Sequence, residues 1–417
     1  MPLRFPVLKN RYPRQFWLLF WGLLISTIGA SMIWPFLMIY VSERLSLPLT
    51  TIASLMTLNA AVGLVFSFIG GNFIDRAGRK WIMVISLGIN GLVYILLSYS
   101  NTLAAFAILM ALSGAFNPLY RVGADAMMAD LIPAEKRLDA YSLLRMGNNV
   151  GVALGPAIGG FIATRSYTTA FFLAAAGMLT YSLLLTFFAR ETLPRDFGTE
   201  KKEKESLGGY GRALRDKPFM LFSGTFVLTQ ICAAIMWVLL AVYVKQNFQI
   251  PESQYGWIPT TNAVMVIAFQ MLVTSISKRY PPFFLLAFGS LLYAAAVGSV
   301  ALGQAFWAFL ISMVILTVGE LILVPTATTL AANLSPQDMR GRYMSIYGLT
   351  WGIAAGIGPI LGGFLNDNIG PTAIWYGGLL VGLVAAGIFV ILGIRYASTI
   401  SSSMNPLSRP EQAEISS

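Results

Sequence analysis

Residues 155–161 read Gly-Pro-Ala-Ile-Gly-Gly-Phe, and residues 358–364 read Gly-Pro-Ile-Leu-Gly-Gly-Phe. The two stretches lie 203 residues apart, and the same offset aligns further identical pairs without a gap. These pairs include Trp34 with Trp237, Tyr40 with Tyr243, Pro48 with Pro251, Asn59 with Asn262, Arg76 with Arg279 and Pro133 with Pro336. One register over this length indicates a duplicated unit. In a membrane, two like halves that meet near the midplane are typical of a solute carrier.

The composition is that of a membrane protein. Hydrophobic residues make up 56% of the 417 residues and charged residues 11%, whereas charged residues form about 25% of soluble domains. A membrane-spanning helix needs roughly 20 mainly apolar residues. The sequence predicts twelve such spans, six in each copy, at about 15–41, 50–74, 79–99, 103–130, 140–164, 168–189, 218–244, 253–276, 283–302, 305–333, 342–366 and 372–395. The predicted fold is an all-α membrane protein with 12 transmembrane helices in two pseudo-symmetric six-helix bundles.

The duplicated units and the segments outside them define the predicted domains. We assign residues 1–195 to the first six-helix bundle and residues 213–395 to the second. Residues 196–212 carry charges of both signs and two adjacent glycines, which predicts a flexible or partly helical cytoplasmic linker. The polar residues 396–417 are predicted to be a disordered cytoplasmic tail.

The net charge of +10 reflects membrane topology rather than nucleic-acid binding. If the N-terminus is cytoplasmic, most Lys and Arg residues fall in cytoplasmic segments, as the positive-inside rule requires. Only Arg44, Arg165 and Lys245 fall in loops on the other side, while Arg121 and Arg145 fall within spans. We therefore expect a multi-pass plasma-membrane protein, in a bacterial inner membrane, with both termini cytoplasmic and membrane lipids as its counterions.

The chain has one cysteine, Cys232, inside a predicted span, and it has no histidine. An internal disulfide is therefore impossible, and Cys232 is expected to be a small buried hydrophobe. Without histidine, any proton transfer must use carboxylates. No Ser-Lys, Asp-Asp or metal-ligand constellation indicates an enzyme, and we expect no metal and no cofactor besides a coupling proton.

The loop between the second and third predicted spans reads Gly71-Asn-Phe-Ile-Asp75-Arg76-Ala-Gly78-Arg79-Lys80. Gly78 suits a turn with positive φ, and Asp75 is placed to cap the next helix or to pair with an arginine. The loop resembles motif A of the major facilitator superfamily, G-x-x-x-D-R-x-G-R-K, at every fixed position. Topology-setting charge alone would be the simpler reading of these residues.

The resemblance implies a conformational latch that joins the halves on the cytoplasmic side in the outward-open state. It also implies that Arg79 pairs with an acid at the inner end of the fourth span, where this chain has Asp130. In the second copy, Lys278 stands at the position of Asp75, so the latch has decayed there.

The fifth predicted span contains Gly151-Val-Ala-Leu-Gly155-Pro156-Ala-Ile-Gly159-Gly160. Glycines four residues apart share a helix face and permit close packing, and Pro156 kinks the helix. The string resembles motif C of the drug:proton antiporters within the same superfamily. The resemblance extends over the whole chain. It implies a monomeric secondary transporter that exports its substrate, whereas ordinary helix packing is the alternative for this segment.

Four ionisable residues fall inside predicted spans: Arg121, Asp125, Arg145 and Glu320. Charges inside a membrane are costly and usually face a functional cavity. Asp125 lies one helical turn from Arg121 and at a depth near Arg145, so it is either a member of a static ion pair or a site of proton coupling. Glu320 has no cation nearby in sequence, and it is expected to bind a proton or a cationic substrate.

The resemblance departs from the antiporter pattern at motif B. In that motif an arginine is followed by a glutamine and a glycine, and here Arg121 is followed at those places by Ala124 and Asp125. The role in proton transfer that the motif implies is therefore carried over to Arg121 alone.

The substrate pocket is expected between the halves at mid-membrane depth. Family geometry implies that spans 1, 2, 4, 5, 7, 8, 10 and 11 line it. The candidate substrate-binding residues are Trp34, Tyr40, Asn59, Tyr120, Asn149, Trp237, Tyr243, Asn262, Gln270 and Trp351. As a set, aromatic residues with few charges suit a hydrophobic or amphipathic small molecule, although each aromatic residue alone is as well explained as an interfacial anchor.

The sequence therefore predicts a proton-coupled antiporter for multidrug-type efflux that works by alternating access. The alternatives are a major facilitator of another substrate class, such as a lipid or lysolipid flippase, a sugar exporter or a nutrient symporter. A membrane receptor without transport has no support in the sequence.

Overall fold

The computed structural model describes residues 12–193, 208–336 and 339–404. Residues 194–207 and 405–417, which hold most of the predicted linker and tail, lie outside the described part. So do the side chains of residues 70–77, which include Gly71, Asp75 and Arg76 of the motif A loop. In the described part the chain is helical and contains no strand. A membrane protein satisfies its backbone hydrogen bonds in this way because the bilayer core offers no water.

The described part contains twelve long helices, numbered here as spans in chain order. Span 1 runs through Arg14–Ile33, a 3₁₀ turn at Trp34–Phe36 and Leu37–Leu45. Spans 2–6 are Leu49–Ala77, Arg79–Tyr99, Leu103–Leu131, Ala134–Ala163 and Tyr167–Phe188. Spans 7–12 are Lys217–Phe248, Trp257–Ser277, Pro282–Val300, Phe306–Leu334, Arg340–Asn368 and Ala373–Met404. Short helices at Gly208–Arg215 and Glu252–Tyr255 precede spans 7 and 8.

The predicted all-α fold is confirmed. Eleven helices of the described part are long and apolar enough to cross a membrane. The remaining helix, span 5, has charged residues in its first half, and its second half contains Asn148, Asn149, Pro156 and several glycines, all of which lower its hydropathy. A helix that borders a polar cavity rather than lipid explains this composition.

Two helix boundaries differ from the sequence prediction. Span 1 is interrupted by the 3₁₀ turn because Pro35 has no backbone N–H to donate to the preceding turn. Span 12 continues to Met404, into the segment predicted to be disordered. No glycine or proline occurs between Gly393 and Pro406, so nothing in the local sequence stops the helix before that point.

The internal repeat is visible in the packing of the spans. Span 1 packs on spans 5 and 6, span 3 on spans 4 and 6, and span 2 on span 4. Spans 7–12 repeat this pattern, since span 7 packs on spans 11 and 12, span 9 on spans 10 and 12, and span 8 on span 10. The backbone repeats as well. Ser46 and Gln249, 203 residues apart, end spans 1 and 7 in the left-handed region, with φ of 50° and 56°.

The two halves meet through spans 2 and 11 and through spans 5 and 8. We call the side on which span 1 begins and span 12 ends the terminal side, and the opposite side the distal side. Eight hydrogen bonds between the halves lie in the distal half of the spans or near their centre. In span 11, added Cβ atoms on Gly352, Gly356 and Gly363 would approach span 2, whereas those on Gly341 and Gly348, nearer the terminal side, would meet no described atom within 4 Å. The structure therefore has a distal closure and a cleft that opens to the terminal side.

Candidate functional site

The last glycine of each glycine-proline motif lies in the distal closure. A Cβ atom on Gly160 of span 5 would overlap the carbonyl oxygen of Glu252, in the short helix before span 8. A Cβ atom on Gly363 of span 11 would lie 2.8 Å from the Cα atom of Thr50, in span 2. The motif thus brings the halves together at two symmetric points.

The other motif glycines pack within the first half. Added Cβ atoms on Gly151, Gly155 and Gly159 would meet span 1 at Thr27, Ser31 and Met32. The carbonyl oxygen of Pro156, in contrast, lies against Gly256 of the second half. Close helix packing, as the sequence predicted, accounts for each of these contacts. The glycines pack on span 1 within the first half, and Pro156 packs on the second half.

Two helix N-termini in the distal closure are capped by side chains from the opposite half. The carboxylate of Asp367 in span 11 accepts hydrogen bonds from the backbone N–H groups of Leu49 at 3.1 Å and Thr50 at 2.8 Å. At the symmetric place, the hydroxyl of Thr164 accepts from the backbone N–H of Ser253 at 3.1 Å. Each cap exists only while the distal side is closed.

A buried carboxylate adds a third connection to the distal closure. Glu252 is 3% exposed and forms an ion pair with Lys245 at 3.0 Å. The hydroxyl of Tyr167 in the first half donates to the same carboxylate at 2.7 Å. Sequence reasoning placed Lys245 in a distal loop but missed Glu252 and Asp367, because their contacts with the opposite copy of the repeat leave no local pattern.

Two adjoining cavities lie between spans 1, 4 and 5 of the first half. One measures about 470 Å³ and the other about 360 Å³, and both are lined by Tyr120, Arg121 and Asn148. The second also contains Asp125 and Arg145. The sequence therefore placed Tyr120 and three of its four intramembrane charges at this site, whereas Asn148 rather than the predicted Asn149 faces the cavities.

Asp125 and its two expected cationic partners share a cavity without direct contact. In the described part of the chain, no ion pair joins Asp125 to Arg121 or Arg145. Arg121, one turn earlier on the same helix, lines the same cavity as Asp125. The hydroxyl of Tyr141 donates to the backbone carbonyl of Asp125 at 3.1 Å, which leaves the carboxylate oxygens facing the open space. The static ion pair that the sequence allowed is not formed.

The first-half cavity offers an acceptor for hydrogen bonds at its wall. Asn90 of span 3 is 2% exposed and borders the larger cavity. Its amide nitrogen donates to the carbonyl oxygen of Ser86 at 2.8 Å, while its amide oxygen has no partner among the described residues. A buried amide oxygen of this kind retains its capacity to accept a hydrogen bond from a bound molecule.

Glu320 of span 10 is held by an amide from span 8. The side-chain nitrogen of Asn262 donates to the Glu320 carboxylate at 2.7 Å and to the hydroxyl of Thr317 at 3.0 Å. Arg145, in the opposite half, is close enough for its charge to act on Glu320. Glu320 was predicted to lack a cation nearby in sequence, and the structure brings one to it across the cleft.

Asn59, the symmetric counterpart of Asn262 in the first half, has a different hydrogen-bond partner. Asn59 donates to the backbone carbonyl of Met110 at 2.8 Å. At the symmetric carbonyl of Met313, the hydroxyl of Thr317 is the donor instead, at 2.7 Å. Asn262 is thereby left to reach Glu320, whose counterpart in the first half is Asn117.

The expected ion pair of the motif A loop is present within the first half. Arg79 lies 2.8 Å from Asp130, and the hydroxyl of Thr192 donates to the same carboxylate at 2.8 Å. The cap of span 3, which the sequence offered to Asp75, is formed by Glu191. The carboxylate of Glu191 accepts from the backbone N–H groups of Arg79 at 3.0 Å and Lys80 at 3.1 Å.

Gly78 allows this cap to form. Its φ is +88°, and a Cβ atom there would lie 2.5 Å from the Glu191 carboxylate. The symmetric residue is Pro281, which cannot adopt this conformation.

Several candidate substrate-binding residues lie inside the bundles instead of at the cleft. The ring of Tyr40 packs against Phe106 and Phe171, and its hydroxyl donates to the carbonyl of Ser98 at 2.9 Å. Tyr243, its symmetric mate, is 4% exposed and packs against Phe309 and Trp375. These two tyrosines were expected to line the pocket, but interior packing uses their rings and excludes them from it.

The remaining candidates are divided between packing and exposure. Gln270 donates to the backbone carbonyl of Leu321 at 3.1 Å, and Trp237 packs half-buried against the core of the second half. Trp34 and Trp351 are exposed by 44% and 43%, and Asn149 is half-buried. The structure thus does not bring the ten candidates to one pocket.

Twelve long helices of the described part, arranged in two like halves that meet on the distal side, define a membrane transport protein. The chain belongs to the major facilitator superfamily. The sequence model described as Major Facilitator Superfamily matches residues 19–243 and, in a second match, residues 222–412.

Relatives with described names include transporters of different cargo. The chain is 25% identical over 395 residues to the Na(+), Li(+), K(+)/H(+) antiporter of Planococcus maritimus, which covers 88% of this chain and 91% of the relative. It is 24% identical over 347 residues to Multidrug resistance protein 1 of Bacillus subtilis strain 168, with 83% and 88% covered. The crystal structure of the nucleoside transporter NupG superposes with a TM-score of 0.79 over 90% of this chain and 99% of that one, at 12% identity.

Proposed function

We propose that the chain is a proton-coupled antiporter that exports hydrophobic or amphipathic small molecules. The observation that carries the proposal is the position of Glu320, which is held by Asn262 in one half and reached by the charge of Arg145 from the other. Ionised Glu320 attracts Arg145 across the cleft, and protonation removes that attraction. Proton binding thereby acts on the interaction between the halves, as coupling requires.

The transport cycle follows from this arrangement. With the cleft open on the terminal side, a substrate enters and contacts Tyr120 and the first-half cavities. When the distal caps release, the cleft opens on the other side, and a proton binds Asp125 or Glu320 as the substrate leaves. When the distal side closes again, the carboxylate becomes accessible from the terminal side and releases its proton there. The proton-motive force drives export because protons are abundant on the side where the substrate is released.

The chemistry of the cavity favours a lipophilic substrate with a polar or cationic group. Its walls contain the apolar side chains of Met178, Leu23 and Val152, together with hydrogen-bonding side chains such as those of Thr27 and Asn148. Asp125 supplies negative charge at the cavity wall. The similarity to Multidrug resistance protein 1 supports the same substrate class.

Transport into inverted membrane vesicles tests this proposal. A pH gradient is imposed, and accumulation of a lipophilic fluorescent cation is followed for the unchanged chain, Asp125→Asn and Glu320→Gln. At least one substitution is expected to abolish accumulation driven by the gradient. The matched control is Glu135→Gln, an exposed glutamate in the first turn of span 5, which should leave it unchanged. If both test variants accumulate as much of the cation as the unchanged chain does, the coupling assignment is incorrect.

Exchange of an alkali cation for a proton is a second candidate function. The similarity to the Na(+), Li(+), K(+)/H(+) antiporter favours it, as do the adjacent oxygens of Glu320 and Thr317, because alkali and other hard cations prefer oxygen ligands. One experiment distinguishes cation exchange from export of an organic molecule. Sodium or potassium chloride is added to energised inverted vesicles without any organic substrate. Collapse of the pH gradient that depends on Glu320 supports cation exchange, and an unchanged gradient argues against it.

We also propose that the terminal side faces the cytoplasm of a bacterial inner membrane. Charge placement supports this orientation, because Arg165 and Lys245 lie on the distal side, while Arg79, Lys80 and Arg137 lie on the terminal side. Labelling with an impermeant maleimide tests it in a Cys232→Ala background. In intact cells Arg165→Cys should react and Lys136→Cys should not. The opposite labelling pattern would mean that the terminal side faces outward and that the proposed direction of transport is wrong.

A further inference from the structure

The two halves differ where the motif A loop has its ion pair. In the first half, Arg79 at the start of span 3 is bound to Asp130 at the end of span 4. The 203-residue offset places Pro282 and Asn333 at the corresponding positions of spans 9 and 10. Neither residue carries a charge, so the second half lacks the ion pair that ties these helices together in the first.

The terminal ends of these helices also pack differently in the second half. In the first half, a Cβ atom on Gly123 of span 4 would lie 3.4 Å from the carbonyl oxygen of Arg79, in span 3. In the second half, Thr326 takes the place of this glycine, and its side chain borders a cavity of about 270 Å³. Lys278, Pro282 and Asn333 border the same cavity. A cavity therefore occupies the place of the ion pair.

The cavity continues into an apolar groove. A second space, of about 470 Å³, shares Ser277, Tyr280 and Leu285 with the first. Its remaining walls are apolar and come from spans 8, 9 and 10, and they include Phe284, Phe288, Val318 and Ile322. Because span 9 begins on the terminal side, the groove is polar at its terminal end and apolar towards the middle of the membrane.

This groove faces outward, and its polar end is cationic. Phe284 and Phe288 are exposed by 46% and 51%, so the groove lies at the surface that spans 8, 9 and 10 present to the bilayer. Lys278 and Arg279 stand at its polar end. Among the described residues, the side-chain ammonium of Lys278 has no hydrogen bond and no ion pair. A cation beside an apolar groove at membrane depth matches an amphiphile with an anionic head.

We propose that this groove between spans 8, 9 and 10 binds an anionic phospholipid from the leaflet on the terminal side. Its phosphate lies beside Lys278, near the hydroxyls of Tyr280 and Thr326, and one acyl chain lies along Phe284, Phe288 and Val318. The bound lipid joins the terminal ends of the three helices, as the ion pair between Arg79 and Asp130 does in the first half. The proposal does not depend on the cargo or on proton coupling.

Native mass spectrometry of the purified full chain in detergent tests the proposal, with palmitoyl-oleoyl phosphatidylglycerol as the probe and the matching phosphatidylcholine as the neutral comparison. Lys278→Gln should weaken phosphatidylglycerol binding about fivefold, because one lysine near an anionic headgroup contributes about 1 kcal/mol. Val318→Trp fills the apolar groove and should weaken the binding of the same lipid while Lys278 remains. Lys278→Arg should retain binding.

The matched control is Lys217→Gln, an exposed lysine at the terminal end of span 7 that borders neither space. It should bind phosphatidylglycerol as the unchanged chain does. The proposal is overturned if Lys278→Gln and Lys217→Gln lose binding equally, or if Lys278→Gln loses none. It is also overturned if Val318→Trp has no effect, or if inorganic phosphate displaces the lipid, since either result would indicate a site for a free anion.

Discussion

Asp367 in span 11 caps the first turn of span 2 by accepting hydrogen bonds from Thr50, at 2.8 Å from its backbone N–H and at 2.7 Å from its hydroxyl. The two residues belong to different halves of the duplicated chain. A helix N-terminus leaves its first N–H groups without intrahelical partners, so a carboxylate there is stabilising. When the distal side opens, span 2 loses this cap. The free energy of the cap therefore favours the distal-closed state.

Asp367→Ala should shift the conformational equilibrium toward the distal-open state. Loss of an N-cap costs about 0.5–2 kcal/mol, which corresponds to a shift of about two- to thirtyfold. The measurement is the labelling rate of Ala60→Cys by an impermeant maleimide in intact cells, in a Cys232→Ala background. Ala60 lies in span 2 against Gly356, beneath the distal closure, so labelling reports opening.

The control for this experiment is the next residue along span 11. Asn368 donates to the carbonyl oxygen of Phe364 in its own helix at 2.8 Å. Asn368→Ala should therefore leave the labelling rate unchanged. An unchanged rate in Asp367→Ala as well would mean that the cap does not hold the distal side closed.

Gly160→Ala and Gly363→Ala should each slow transport about tenfold or more. Each added methyl group meets backbone of the opposite half, and overpacking of this kind costs about 1–3 kcal/mol. Since the contacts exist only in the distal-closed state, the cost falls on one state of the cycle. Gly224→Ala is the matched control, because no atom lies within 4 Å of its added Cβ. Wild-type initial rates in the two test variants would contradict this prediction.

Asn262→Leu should change the pH dependence of transport, whereas Asn59→Leu should not. Both substitutions remove one side-chain donor at symmetric positions of spans 8 and 2. Asn262 donates to the Glu320 carboxylate, and Asn59 donates to a backbone carbonyl. Hydrogen bonds to charged groups contribute about 1.5–3 kcal/mol, so the effect on coupling should be tenfold or more. The measurement is initial transport rate against pH, and parallel profiles for both variants would exclude a positioning role for Asn262.

Glu191→Ala should lower the thermal unfolding temperature by about 2–6 °C, because a lost cap costs about 0.5–2 kcal/mol in a bundle of this size. Its carboxylate holds two backbone N–H groups at the start of span 3. Glu135→Ala, where no described hydrogen bond is lost, should cause a smaller change. Unfolding in detergent, followed by tryptophan fluorescence, provides the measurement. Equal shifts in the two variants would contradict the capping role.

Most of the fold could be predicted from the sequence because membrane insertion is governed by the local density of apolar residues. The repeat offset and the number of spans could be obtained without knowledge of how the helices pack. The exceptions were local. Pro35 converts part of span 1 to a 3₁₀ turn, and span 12 continues past residue 395 because no glycine or proline stops it.

The site was only partly predictable. Arg121, Asp125 and Tyr120 share a cavity, as their positions within one helix suggested, and the pair of Arg79 and Asp130 is formed. Tyr40 and Tyr243 were misplaced, because the helix face that a residue occupies depends on which neighbour its helix packs against. Glu191 and Asp367 carried no sequence signal, since each acts on backbone far away in the chain, and the contact of Glu252 with Tyr167 is equally distant.

The sequence by itself determined the duplicated helical architecture, the glycines of the fifth and eleventh spans, and the small set of charges placed within the membrane. Hydropathy, periodicity and residue type suffice for these properties, because each depends on short stretches of chain. Only the tertiary structure decided that the charge of Arg145 lies near enough to act on Glu320 in the opposite half, and that Asp367 caps span 2. Such pairings depend on how two independently folded halves are oriented, and that orientation is set by packing between them rather than by any local pattern.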